Sequence, residues 1–264
     1  MSITALASLS GSPGVTTTAV ALATTSTAPA LLVEADTTGG STVLAGRYRA
    51  QTPHQTSLLA LATAEAGHTV TEVLREQSLQ LPGAAHQESR FVPGVAQASQ
   101  SATLAGSWGS LGAGLRELSE DAGVEVILDL GRIRPGQGAP WGLVEQVDQV
   151  ILLAHATLPG LIVAANNLGA VAEQVRTPAL GVCLLAAPGE GYTSSEAVAG
   201  QVLGKIPALP TLPWDPRAAS VYSLGAQHSP RRTHRYHSAL TQLWTGAQKN
   251  LEDHRRMLTG GNAA

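Results

Sequence analysis

Ile3-Thr4-Ala5-Leu6-Ala7-Ser8-Leu9, the turn Ser10-Gly11-Ser12-Pro13-Gly14-Val15, and Thr16-Thr17-Thr18-Ala19-Val20-Ala21-Leu22-Ala23 form the stretch that decides the fold. An apolar run ends in a Gly/Ser/Pro turn and resumes in helix-compatible Ala and Leu, which reads as strand, loop, helix. The same grammar recurs downstream. Ala30 to Val33 is a buried strand that delivers Glu34 and Asp36 to its C-terminal edge before Gly39 and Gly40. Arg90 to Val95 reads as a weak strand, Leu111 to Ala122 as a helix, and Val124 to Leu128 as a stronger strand closed by Asp129 and Gly131. Strands at Val150 to Ala154 and Leu180 to Ala186 flank a helix from Pro159 to about Val175, and a last short strand is expected near Thr211. Apolar strands separated by helical stretches indicate βαβ units, hence a three-layer α/β/α domain on a mainly parallel sheet. Ligands of such sheets sit outside the carboxyl ends of the strands. The site is therefore expected where the strands beginning at Ile3, Ala30 and Val124 end.

Composition agrees with this class. The chain has 264 residues, 44% of them hydrophobic, but only 3% aromatic and 13% charged, so the core is built from Ala, Val and Leu. The formal net charge of −3 leaves no overall basic footprint for nucleic acid. A single cysteine, Cys183, excludes a disulfide framework and a cysteine-rich metal site, as expected of a protein of the reducing cytoplasm. The first positive side chain is Arg47, so the charged region that opens a secretory signal is not seen and export is not expected. The longest apolar stretch, Val150 to Ala165, is broken by Pro159 and Gly160 and falls short of the roughly 20 residues of a membrane helix.

A Gly-rich turn between a buried strand and a helix N-terminus can hold an anion, because free backbone N–H groups and the positive helix end converge there. On its own, such a turn is also satisfied by steric need for glycine. Here it has company: Thr16 opens the helix where it could ligate Mg²⁺, and Asp36 and Asp129 both end apolar runs. Taken singly, the two aspartates read as caps of the turns that follow; taken with Thr16, they read as a metal–phosphate site. A dinucleotide-binding fold would also place an acid such as Asp36 roughly 20 residues past the loop. That reading fails in the loop, which contains no G-x-G-x-x-G. No G-x-S-x-G nucleophile elbow occurs. His234 and His237 have chelating spacing but read as part of a solvated basic face.

The ordered set resembles the ParA/MinD family of deviant P-loop ATPases (SIMIBI class), whose loop reads roughly K-G-G-x-G-K-T-T. Ser10 through Thr17 keeps Gly11, Gly14, Thr16 and Thr17, and has Ser10 and Val15 where that family has its lysines. The resemblance spans about residues 1–225 and implies a P-loop NTPase-like fold. It also implies that Ser10, Gly11, Ser12, Gly14, Val15, Thr16 and Thr17 cradle the nucleotide phosphates. Thr16 and Asp129 would hold Mg²⁺, Asp129 in the place of the Walker B aspartate. In Glu34-Ala35-Asp36, Asp36 corresponds to the residue that orients attacking water. Pro213, Trp214 and Asp215 correspond to the segment that helps form the base pocket, although Trp214 between two prolines also reads as a packing residue.

The departure from the family is in the lysines, of which none precedes Lys205. In the family one lysine contacts phosphates in cis and the other reaches across a nucleotide-sandwich dimer. A charged hydrogen bond contributes about 1.5–3 kcal/mol, so each loss weakens phosphate binding roughly 10- to 100-fold. Pro13 also removes a backbone donor. Arg47, Arg49 and Arg132 are the replacement cations considered. The expectation is a degenerate family member, a pseudo-ATPase or weak nucleotide binder acting as a positioning or scaffold protein through protein contacts. The alternative is a slow Mg-dependent ATPase using ATP, in which an arginine supplies the missing charge. The family places chromosomes, plasmids, division sites or pili. The resemblance thus implies a cytoplasmic protein recruited to a pole, a septum or a membrane-associated machine, and any homodimer should be independent of nucleotide.

The chain changes character after residue 230. Residues 1–230 carry −7 and are read as the P-loop domain; residues 231–264 carry +4 and are read as a basic C-terminal helix and tail packed on it. A helix from about Thr233 to Leu258 aligns Tyr236, Leu240, Leu243, Trp244, Ala247, Leu251 and Leu258 in one apolar stripe, with Arg235, Lys249 and Arg256 on another face. The basic face is expected to dock an acidic protein partner rather than an anionic membrane surface, since membrane insertion would need the stripe free of the core. Nucleic acid is disfavoured as a partner.

Overall fold

The computed structural model describes residues 1–11, 13–63, 67–136, 138–175, 178–186, 200, 203–204 and 206–260. Eight strands make one sheet: β1 (Ile3–Ser8), β2 (Ala30–Glu34), β3 (Leu79–Gln80), β4 (Arg90–Val92), β5 (Glu125–Arg132), β6 (Gln149–His155), β7 (Ala179–Ala186) and β8 (Ala208–Pro213), in the order β3-β4-β2-β5-β1-β6-β7-β8. All neighbours run parallel except β3 and β4, which are antiparallel at one edge. This is the expected α/β class.

Side chains alternate across the sheet with the period of two that a strand dictates. Ile3, Ala5 and Ala7 of β1 face one core, shared with Leu111 and Leu115 of α5 (Trp108–Asp121) and Leu161 and Leu168 of α7 (Leu158–Gln174). Leu6 faces the other, made with α1 (Val15–Thr25), α8 (Pro216–Ser223) and α9 (Pro230–Gly260). Shorter helices α2 (Thr42–Gly46), α3 (Ala60–Thr63), α4 (Val70–Gln77) and α6 (Trp141–Val144) and a 3₁₀ segment (Ala98–Leu104) fill the connections.

Several expectations shift. The strand expected from Arg90 to Val95 stops at Val92, because Pro93 cannot donate to a ladder. The strand expected to close at Asp129 continues to Arg132, so Asp129 lies inside it. The C-terminal helix starts at Pro230 and runs to Gly260, while residues 261–264 lie outside the described residues. In that helix Tyr236, Leu240, Leu243, Ala247 and Leu251 are buried, but Leu258 stays 59% exposed. Arg255 pairs with Asp148 at 2.9 Å, and Asp148 also accepts the Ile3 N–H at 2.7 Å, tying the far end of α9 to the start of β1. No helix among the described residues is long and apolar enough to cross a membrane.

Candidate functional site

The site begins in the loop after β1. Gly14, at the N-cap of α1, has φ +77°, a left-handed conformation open to glycine at little cost, and no side chain among the described residues caps this helix end. The first amides of α1 are thus left to face a cavity of about 670 Å³ at the C-terminal edge of the sheet. Its wall brings together Gly11, Gly14, Val15, Thr16, Thr17, Asp36, Pro213, Trp214 and Asp215, which come from three separate parts of the chain. Ser10 is buried and is not among the wall residues, and Ser12 lies outside the described residues.

Adjacency of β2 and β5 brings the carboxylates together, since Glu34 is in register with Asp129. Asp36 follows β2, and its Oδ1 accepts the Thr38 N–H at 2.8 Å and the Thr38 hydroxyl at 2.7 Å. Its other oxygen lies over Gly131, where a Cβ would come within 2.0 Å; Gly131 also has φ +57°. Only a residue without a side chain permits that approach. Asp129 is 1% exposed, its Oδ1 accepts the Gly131 N–H at 2.9 Å, and its Oδ2 has no hydrogen-bond partner among the described residues. Burial pushes its carboxyl up to about 6, and Asp36 adds to the rise, while the Thr16 side chain and the Gly131 N–H oppose it.

Glu34, which the sequence reading left without a role, is a buried acid of this cluster. Its Oε2 accepts the Gly94 N–H at 3.1 Å. Burial, with Asp129 alongside, pushes it up to about 8, against the pull of Ser41 and Gly94. An acid at the end of an otherwise apolar strand was the available signal. At the opposite wall Trp214 is 43% exposed and stands edge-on to His155, with ring centroids 5.1 Å apart. Asp215 caps α8, accepting the N–H groups of Arg217 and Ala218.

Of the three arginines considered for the cavity, one lines it. Arg132 is on the wall. Arg47 instead donates to the carbonyls of Pro82 and Val221, and it borders with Arg49 a second cavity of about 840 Å³. No cluster of metal-ligating His, Cys, Asp and Glu occurs among the described residues. His237 packs its ring against Tyr222, whose hydroxyl lies 3.0 Å from Nδ1.

Sheet order, the left-handed glycine at the head of α1 and the carboxylates clustered beside it define a P-loop-like α/β protein. The fold is that of ParA- and MinD-type ATPases. The ParA family ATPase from Chlorobium tepidum TLS superposes with a TM-score of 0.66 at 12% identity, over 90% of this chain and 96% of that one. An aspartate-to-alanine variant of Cyanothece McdA in complex with ATP gives 0.67 at 19% identity, over 96% of each chain. The MinC:MinD cell division protein complex of Aquifex aeolicus gives 0.60 at 12% identity, over 98% of this chain and 96% of that one. At these identities the likeness is one of fold. No protein-family model and no curated protein matches the chain.

Proposed function

We propose that this chain is a degenerate protein of the ParA/MinD kind, a positioning or scaffold protein that takes nucleotide weakly, hydrolyses it negligibly and acts through protein contacts. The charge on the cavity wall carries this reading. Asp36 and Asp215 line it, Asp129 lies in the adjoining strand, and Arg132 is the single cation among the described wall residues. A triphosphate entering there meets carboxylates with one guanidinium to offset them. The wall keeps the shape of a nucleotide site and lacks most of its charge.

The metal half fits better than the phosphate half. The buried Oδ2 of Asp129, without a hydrogen-bond partner among the described residues, is an acceptor that a divalent cation would satisfy, so Thr16 and Asp129 are the residues that would hold Mg²⁺. Bound there, the ion would neutralise phosphate charge. Retention of Asp36 beside Gly131 supports the second reading, a slow Mg-dependent ATPase in which Asp36 orients water.

Titration calorimetry with ATP and Mg²⁺, paired with a phosphate-release assay, separates the two readings. The expected result is affinity well weaker than micromolar and no turnover above background. Micromolar affinity with turnover abolished by Asp36→Ala would establish the ATPase and overturn the scaffold.

Partner contacts are assigned to the N-terminal turn of α9 and to an acidic protein segment. Arg231, Arg232, His234 and Arg235 are all exposed there, whereas Arg256 is engaged by Glu252 and Asp253 within the helix. The acidic remainder of the chain disfavours a long polyanion such as DNA. Recruitment of a cytoplasmic protein to a pole, a septum or a membrane-associated machine through such a partner, and a nucleotide-independent homodimer, complete the proposal. The MinC:MinD complex in the same fold supports a protein partner.

A further inference from the structure

We infer that Arg132 is the phosphate-binding cation of the cavity, the side chain that gives the site its residual affinity for nucleoside di- and triphosphates. The inference rests on the reading of the cavity as a weak nucleotide site. Strand register supplies the geometry. Arg132 is paired with Ser8, the last residue of β1, and the Ile133 N–H donates to the Ser8 carbonyl at 3.0 Å. The guanidinium is therefore carried on the strand beside the start of the Gly11 to Gly14 loop, and Arg132 shares the cavity wall with Gly11, Gly14 and Thr16.

Availability follows from what Arg132 does not do. Asp36 is on the same wall and its carboxylate lies over Gly131, the residue before Arg132, yet Arg132 forms no salt bridge among the described residues. Thr38 occupies Asp36 instead, through both its N–H and its hydroxyl. Arg47 has no such freedom, because backbone carbonyls hold its guanidinium. An exposed planar fork beside helix amides that no described side chain caps is suited to bidentate contact with phosphate oxygens. It makes no demand on the base or the sugar.

The test compares wild type, Arg132→Ala, Arg132→Lys and the control Arg49→Ala, which alters the other cavity, by calorimetric titration at low ionic strength. The probes are MgATP, ADP and adenosine. Expected is a loss of roughly 10- to 100-fold in MgATP and ADP affinity for Arg132→Ala, with partial retention in Arg132→Lys. Adenosine affinity should not change, and Arg49→Ala should bind as wild type. Unchanged MgATP affinity in Arg132→Ala would overturn the inference. So would equal losses in Arg132→Ala and Arg49→Ala, which would mark a bulk charge effect, or the absence of wild-type binding at millimolar MgATP. Turnover by wild type would overturn the scaffold reading alone, leaving Arg132 to be judged by the affinities.

Discussion

Glu34 shows how a single position in a strand acquires chemistry from its neighbours. In isolation it would ionise near 4.5; buried beside Asp129 it holds its proton to about 8. The folded protein thus retains a proton that the unfolded chain releases, so the stability present below pH 4.5 declines as pH climbs to about 8 and then levels. Each unit of displacement is worth about 1.4 kcal/mol. Glu34→Gln keeps an acceptor for Gly94 and cannot ionise. Urea midpoints should therefore fall between pH 6 and 8 in wild type and stay flat in the variant, which should be the more stable protein at pH 8.5. Equal slopes in the two proteins would show that Glu34 is already ionised at neutral pH. A fall from about pH 4 to 6 should persist in the variant, where Asp129 supplies it, and be steeper in wild type, where Glu34 adds to it. Asp36 and Asp129 were legible in the sequence because each ends an apolar run. The neutral state of Glu34 was not, and neither was the choice of Arg132 over Arg47 and Arg49, because both arise from which strands lie side by side, a relation that local pattern does not contain.

At the scale of elements, α9 combines two surfaces with different work. Its buried side reaches the core through Leu243, which is fully enclosed, and Gly246 packs so tightly on Pro210 that a Cβ would lie 2.5 Å from the proline ring. Leu243→Ala should cost about 2–5 kcal/mol in thermal or urea unfolding. Replacing Arg231, Arg232 and Arg235 together by Glu should leave the unfolding midpoint nearly unchanged and abolish binding of the acidic partner, read by pull-down against wild type. Collapse of the fold in the triple variant, or retained binding, would remove the docking role from that turn. The apolar stripe was readable from its 3.6-residue period, apart from Leu258, which stays exposed. Helices such as α2, α3 and α6, four or five residues long, were not readable because they are too short to express a period. The two-residue β3 escaped for the same reason.

For the whole molecule, parallel topology and the position of the site at one sheet edge followed from the recurring strand, turn and helix grammar. The order of the strands did not, and it shapes how the chain comes to be folded. The first strand of this sheet in chain order is a central one: β1 lies between β5 and β6, and Ile3 pairs with Val126 and donates to Asp148, 145 residues further on. Local contacts cannot hold it meanwhile, and closing loops of that length costs entropy before any pairing offsets it. With synthesis at about 5–20 residues per second, the growing chain carries an unpaired apolar strand for many seconds. Ribosome-bound chains should remain protease-sensitive at the N-terminus until residues beyond His155 have emerged, then become protected abruptly. Gradual protection beginning before Glu125 emerges would contradict this sequence of events. A sheet whose central strand precedes both of its partners in the chain is thus committed to folding late, and the interval before β5 and β6 arrive is when it most needs shelter from its own copies.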